Sequence, residues 1–389
     1  MPNTQYAIHI FSDTGVRLRI LSPKIRDARY RMAENETGDW EVSVPYADGT
    51  IPELLSPPNT VEFWRDGAYQ FGGPVRRQRV YQDGKVPFYT ASGPGYLQWL
   101  ADCRMRPATG TGDIVYAADN LDDIMKRVVR EQALDFNSKF AVAADSGSSA
   151  VNEAYTATGY ENILETLQNI AERAKDTTFD IVRDLDGALR FRTFTPSRGP
   201  DRSKGHPSPV LFDLAGGNLI DAEWVRDGNQ VVNALWGGGP GDKASRYVFP
   251  ANANGLTNSS SILDWGRIEG FFDAGNETTL ATDKKTQEEL DKQSVAEESV
   301  AFKVSPYGRY TLGTHFDFGT KVTVVWGHIL EFSDVIRGLE VRLDSGSGVA
   351  NIDINVGDTL TGDAQTRASI ILGKFLRRLR ASIGVQTRH

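Results

Sequence analysis

The sequence predicts a mainly β protein with an α+β insertion. Three observations carry that expectation. Apolar and polar residues alternate with period two through residues 6–100 and again after residue 207. Two stretches between them change to helical spacing. The 38 glycines are spread along the chain, and Asp-Gly pairs fall at the ends of apolar runs, where tight turns belong. A length of 389 residues exceeds one ordinary core, and 40% hydrophobic with 24% charged residues is an ordinary globular balance.

The first segment, 1–100, reads as strands and hairpins forming a β-barrel-like domain. Trp40, Val42 and Val44 alternate with Glu41 and Ser43, as in a strand with one buried face. Val61 and Phe63, then Tyr69 and Phe71, flank Arg65-Asp66-Gly67, and Asp-Gly favours the positive φ of a two-residue hairpin turn. Asp83-Gly84 marks a second hairpin, and Pro57-Pro58-Asn59 marks a loop.

Residues 101–206 read as an α+β module of two helices and a hairpin. Leu121, Ile124, Met125, Val128 and Val129 recur at helical spacing, with Asn120 placed as an N-cap. Asp122 and Asp123 fall in the first turn, where the helix dipole favours carboxylates. A second helix is expected from about Glu161 to Lys175, followed by a hairpin of Phe179–Arg183, Asp186-Gly187 and Leu189–Thr193. Ala143–Ser149 reads as a flexible loop and Thr195–His206 as an exposed loop or linker.

Residues 207–360 return to strands, forming a second β-barrel-like region. Val231–Trp236 is its strongest early strand, and Val322–Trp326, Ile336–Leu343 and Val349–Ile354 follow. Residues 250–261 read as a loop, and Asp283–Glu298, charged and poor in apolar residues, as an exposed helix. The last segment, 361–389, reads as a basic amphipathic helix with Ile371, Leu372, Phe375, Leu376 and Leu379 on one side.

Charge is uneven. Residues 364–389 hold six basic and no acidic residues, leaving −14 on the rest of a chain whose net charge is −8. That balance opposes non-specific nucleic-acid binding. Arg367, Lys374, Arg377, Arg378 and Arg380 are the candidate partner-binding residues, suited to an acidic protein surface. Met1–Tyr6 lacks the order of a signal peptide, and no apolar run approaches a membrane span, so synthesis in a cytoplasm without stable membrane insertion is expected.

No catalytic, cofactor or metal site is expected. Cys103 is the only cysteine and reads as an inert thiol, and none of the five histidines has zinc spacing to another ligand. Gly237–Ser245 lacks the Gly-Lys-Ser/Thr ending of a phosphate loop and reads as a turn after a strand. Asn351–Asp358 spaces its oxygens like a calcium loop, but its Ile and Val alternation fits a half-buried strand better. Asp344–Gly348 reads as a hairpin loop, and no two carboxylates stand out as a glycosidase pair.

Several phrases, in order, resemble the baseplate hub family of long-tailed phages, the N-terminal structural region of tail-associated lysins. They are Gly38–Pro45, Val61–Gly67 followed by Phe71–Val75, Ala91–Leu97 with Leu100 and Arg104, Asn233–Gly237, and Tyr307 to Val324. The resemblance implies two barrel-like tail-tube-type domains per subunit, arranged in a homotrimeric ring. Such a ring would join the tail tube to the distal tip and gate a channel for the tape measure and DNA. It further implies a virion location at the tail tip, with a distal tail protein, a tape measure protein and a tip or fibre protein as partners. Many relatives continue into a lysin, fibre or receptor-binding module, whereas this chain ends at His389, so no enzymatic activity is carried over. A hexameric distal tail protein is the alternative within the same class. A tail-carried cell-wall hydrolase or saccharide-binding module is the alternative from a different class.

Overall fold

The computed structural model describes residues 5–357 except 22–26, 47–49, 85, 108–111, 135–138, 176, 214, 242–244, 276–277, 306–307, 328–329 and 345–349. It is mainly β, with 46% strand and 18% helix, as the sequence predicts. The expected C-terminal helix lies outside the described residues. Two compact units are present: one runs to Ala222 and resumes at Phe302–Gly357, and the other holds Glu223–Ala301.

The first unit opens with β1 (Tyr6–Phe11), β2 (Arg17–Leu21), β3 (Asp27–Ala33), β4 (Asp39–Pro45), α1 (Thr50–Leu54), β5 (Thr60–Arg65), β6 (Ala68–Pro74), β7 (Arg77–Asp83) and β8 (Val86–Pro94). The β5–β6 turn is the one Asp66-Gly67 predicts: φ is +50° at Asp66 and +81° at Gly67, the two positive values a type I′ turn requires. One sheet runs β2-β1-β5-β6. Its inner aromatic residues meet those of β3 and β4, with Tyr30 5.1 Å and Trp40 6.4 Å from Phe63 between ring centres. Trp40, Val42 and Val44 are buried as their alternation predicts. Ser43, expected outward, is buried as well, because Tyr81 and Thr90 close over its hydroxyl.

The α+β segment follows: α2 (Gln98–Ala101), β9 (Asp113–Asn120), α3 (Leu121–Gln132), β10 (Ala141–Val142), β11 (Asn152–Thr158), α4 (Ile163–Ala174), β12 (Thr178–Arg183) and β13 (Leu189–Phe194). Both helices and the β12–β13 hairpin stand where the sequence places them. Their apolar faces, including Ile124, Val128, Leu167 and Ile170, form one core with Phe179 and Phe191 of the hairpin. Asn162 caps α4 by accepting from the Leu164 and Glu165 amides. Asn120 precedes α3 in the extended conformation but makes no side-chain cap bond.

The loop 143–149, expected to be flexible, is tied to the start of α3 instead. Asp123 accepts the amides of Ser146 and Gly147, and Asp122 accepts those of Ser148 and Ser149. Lys126, one turn on, is fully buried, with Nζ 3.2 Å from Asp122, 3.0 Å from Asp123 and 2.6 Å from the Ser146 hydroxyl. Thr195–His206 is likewise a pinned loop rather than a free linker. Arg198 pairs with Asp180 at 2.6 Å, and Arg202 donates to the His315 carbonyl at 2.7 Å.

Next come β14 (Leu211–Asp213) and β15 (Leu219–Asp227), whose end passes into the second unit. That unit holds β16 (Ala234–Gly238), β17 (Val248–Phe249), β18 (Leu256–Thr257), α5 (Ser259–Trp265), β19 (Glu269–Asp273) and α6 (Thr279–Gln293). Three expectations are corrected here. The strand read as Val231–Trp236 begins only at Ala234. Residues 250–261 are not all loop, since they contain β18 and the first turn of α5, capped by Asn258. The helix read as Asp283–Glu298 is α6, which starts and ends earlier and is not merely exposed. Thr282, Thr286 and Leu290 form a buried stripe. Each threonine hydroxyl bonds a carbonyl one turn back, which lets Thr286 pack against Gly237 of β16 and Thr282 against Gly239 just after it, much as apolar residues would. A Cβ on Gly237 would overlap Thr286.

The chain re-enters the first unit through β20 (Glu297–Val304), followed by β21 (Lys321–Trp326), β22 (Leu330–Asp344) and β23 (Ala350–Gly357). The large sheet runs β15-β20-β23-β22-β3-β4-β8-β7, with β21 pairing both β22 and β14. Asn351–Gly357 is therefore strand, as its alternation predicts.

Replacing Asp122 with Ala should leave Lys126 a single carboxylate and take the acceptor from the buried Ser149 amide and the partly exposed Ser148 amide. The expected loss is about 3–5 kcal/mol at pH 7 by denaturant unfolding. Burial alone would raise the Asp122 carboxyl, but the amides of Ser149 and Ser148, the Ser146 hydroxyl and Lys126 outweigh it and hold it below the usual range. Its contribution is thus complete above the ordinary carboxylate pKa and is lost as pH falls through the lowered value, so wild type and variant should converge in strong acid.

Candidate assembly surface

The residues the sequence nominates for partner binding, Arg367, Lys374, Arg377, Arg378 and Arg380, lie outside the described residues. Within them, the surface with most to offer a partner is a pair of sheet edges in the first unit. β2 ends the β2-β1-β5-β6 sheet and β7 ends the large one. Arg17, Leu18, Arg19 and Ile20 of β2 are all exposed, as are Arg77, Gln78, Arg79 and Val80 of β7. A strand exposed on both faces has grown past the core it came from. Val16 is 60%, Ile20 49% and Val80 59% exposed, large apolar side chains set between arginines. Leu18 is the extra residue of a bulge, since Ile10 pairs Arg19 while the adjacent Phe11 pairs Arg17. Charge and a bulge on an edge are the usual guards against indiscriminate pairing.

What holds β2 in place lies beneath it. β1 pairs β2 on one side and β5 on the other, with His9 opposite both Ile20 and Glu62. Glu62 is fully buried. Its carboxylate accepts from Tyr96 Oη at 2.8 Å, Trp64 Nε1 at 3.1 Å and Arg183 Nε at 2.9 Å, and a second Arg183 nitrogen closes the fork. The Arg183 guanidinium also lies over the Phe11 ring, 4.5 Å from its centre. On the same strand, the buried Arg65 pairs with Asp317 at 3.0 Å. These two arginine–carboxylate contacts join β5 to β12 and to the segment before β21.

These interior groups are not arranged for catalysis. The Glu62 oxygens are taken up by donors, leaving no lone pair poised toward a substrate. His9 is buried, its ring stacked 4.8 Å from Trp64, and burial, then Arg17 and Arg183, push its pKa down. Burial likewise pushes the Cys103 thiol up, away from the reactive range. Among the described residues no group of three or more His, Cys, Asp or Glu could hold a metal ion. A small, partly open cavity of about 20 Å³, lined by Asn35, Phe179, Asp180, Arg198 and Phe318 among others, has room for about one water. In Gly237–Ser245, the first two glycines belong to β16 itself and the turn comes at Gly241, φ +100°, while 242–244 lie outside the described residues.

The model of a family described as Siphovirus ReqiPepy6 Gp37-like protein matches residues 7–358. No curated protein sequence matches the chain. In fold the chain is similar to the 43 kDa tail protein of prophage MuSo2 from Shewanella oneidensis, with a TM-score of 0.60 at 15% identity, over 90% of this chain and 98% of that one. It is similar to the tail protein of Neisseria meningitidis MC58, at 0.59 and 13% identity over 92% and 97% of the two chains. It is also similar to a prophage tail protein of Listeria monocytogenes EGD-e, at 0.52 and 14% identity over 95% and 99%. At these identities the likeness is one of fold, and the phage-tail fold spans nearly the whole chain. The resemblance to the baseplate hub family read from the sequence stands.

The lowered pKa of His9 has a measurable consequence. A histidine kept neutral contributes stability that is complete above its ordinary pKa of about 6.5 and is lost as pH falls toward the lowered folded value. Wild type should lose Tm between pH 7.5 and 5.5, and His9→Phe, which keeps the ring against Trp64, should lose less over the same interval in thermal scans.

Proposed function

The chain belongs to the Siphovirus ReqiPepy6 Gp37-like protein family, and on that premise we propose that it is a structural subunit of a phage tail tip. In this reading it is a hub whose copies form a ring between the tail tube and the distal tip. The ring is a homotrimer, and its channel opens to pass the tape measure protein and then DNA. The mechanism is assembly rather than catalysis, and it needs no cofactor.

The observation that carries the reading is the pair of exposed edges, β2 and β7, on one unit. They terminate different sheets and differ in sequence, so an edge of one copy meeting the other edge of the next is a head-to-tail contact. Contacts of that kind close into rings when the rotation allows. Main-chain pairing along an open edge provides the attraction, and Val16, Ile20 and Val80 provide apolar area. Arg17, Arg19, Arg77 and Arg79 favour an acidic neighbour, and the chain as a whole carries −8.

Light scattering on the full chain mixed with its distal tail protein tests this. Three copies per particle are expected, and Ile20→Asp or Val80→Asp should give monomers with unchanged circular dichroism. Six copies would favour a distal ring instead, and wild-type mass in both variants would remove the edges from the interface. The basic segment 361–389 completes the proposal: Arg367, Lys374, Arg377, Arg378 and Arg380 dock on an acidic face of a tip or fibre protein. Deleting 364–389 should abolish co-purification with that neighbour while the ring persists, and unchanged co-purification would dispose of this contact.

A further inference from the structure

The large sheet of the first unit has two unlike faces where β23, β22, β3 and β4 run side by side. Tyr30, Trp40, Val42, Leu339, Val341 and Ile354 point to one face and are buried. The residues between them point to the other. There the register sets charged residues level with one another across all four strands. Asp353 stands opposite Glu340, Glu340 opposite Arg31, and Arg31 opposite Asp39. In the next row Arg342 stands opposite Arg29, flanked by Asn351 and Glu41, so no apolar side chain breaks the ladder.

Such a pattern is costly for a face that needs only to meet water. Glu340 with Asp353, and Arg342 with Arg29, are like charges placed directly opposite, which destabilises a sheet, and serine or threonine there would avoid it. The repulsion is relieved by neighbouring opposite charges. Arg29 lies 2.6 Å from Asp39 and 4.0 Å from Glu340, and Arg31 lies 2.7 Å from Asp39. Arg342 lies 2.7 Å from Glu340 and 3.9 Å from Asp353. Each arginine is thus matched by a carboxylate while its side chain stays between 38% and 57% exposed. At the β7 end of the same face, Arg77 and Arg79 are the arginines assigned above to an acidic neighbour.

We infer that Asp39, Glu340 and Asp353 mask three arginines from a polyanion, so that this face lies along the path of DNA without holding it. A protein holds a polyanion when its unpaired cations displace the counterions of the phosphates, and here the cations are neutralised from within. A face of carboxylates alone would repel the same polymer. A docked protein would call for an apolar centre depleted in charge, whereas this face carries charge at its centre. The assignment rests on the ring-and-channel reading and gives that channel its wall.

The test compares the full chain with the triple variant Asp39→Asn, Glu340→Gln and Asp353→Asn, which unmasks Arg29, Arg31 and Arg342 and leaves the core untouched. Fluorescence anisotropy with a labelled DNA duplex at low salt should show the variant binding at least tenfold tighter than wild type, with a log–log salt slope steeper by about 2–3. A control, Asp39→Asn with Arg29→Gln and Arg31→Gln, removes cations along with the carboxylate and should bind no better than wild type. Glu340→Gln alone, a single surface change, should give a smaller gain of the same sign and so keeps the test open if the triple variant fails to fold. Virions carrying the triple variant should adsorb to host cells normally and release DNA at least tenfold more slowly, and those carrying the control should release it at the wild-type rate. Equal duplex binding by the unmasked variants and wild type would overturn the proposal. So would normal release from virions whose variant chain does bind duplex. Copy number by light scattering judges the ring separately, so the ring and its wall can fail independently.

Discussion

The first unit depends on one buried carboxylate. Glu62 sits at the centre of a β-strand with no access to water, a placement that costs several kcal/mol unless each oxygen is fully bonded. Arg183 meets that condition, together with Tyr96 and Trp64, and it comes from a hairpin more than a hundred residues away. The α+β segment therefore cannot sit anywhere else on the sheet. With Arg65 and Asp317 doing the same for the segment before β21, a single strand, β5, fixes the positions of three parts of the chain.

That fixity gives the exposed edges their meaning. β2 hangs on β1, β1 hangs on β5, and β5 is locked by its two ion pairs. An edge strand held through β1 to β5 presents its amides and carbonyls in a defined direction. The arginines and the bulge on β2 are the kind of guards that keep an exposed edge from indiscriminate pairing. A structural role in a phage tail accords with a family of phage proteins and with a fold shared by tail proteins from three bacterial sources.

Much of this was legible in the residues. Asp66-Gly67 announced its turn because few pairs adopt two positive φ values readily. Helices α3 and α4 were legible from apolar spacing alone, and β12–β13 from its Asp-Gly turn. The stripe of α6 was not, since threonines carry it and threonine counts as polar until its hydroxyl is seen to turn back on the helix. Nor was the ordered loop 143–149. Serine and glycine read as flexible, and only two aspartates brought alongside by the fold supply the acceptors that order it. The edges, the strongest part of the candidate surface, looked like ordinary strands, because exposure on both faces is a property of neighbours.

By itself the sequence determined the local geometry: which segments turn, which coil into helices and which alternate, because those preferences reside in φ, ψ and side-chain spacing. Only the tertiary structure decided the partners. That β22 pairs with β3 across some three hundred residues, that Glu62 meets Arg183 and that Trp236 stands level with Phe271 are all encounters between distant segments. Nothing in either segment alone encodes the other, and the energy that selects each pairing exists only once both are buried or bonded together.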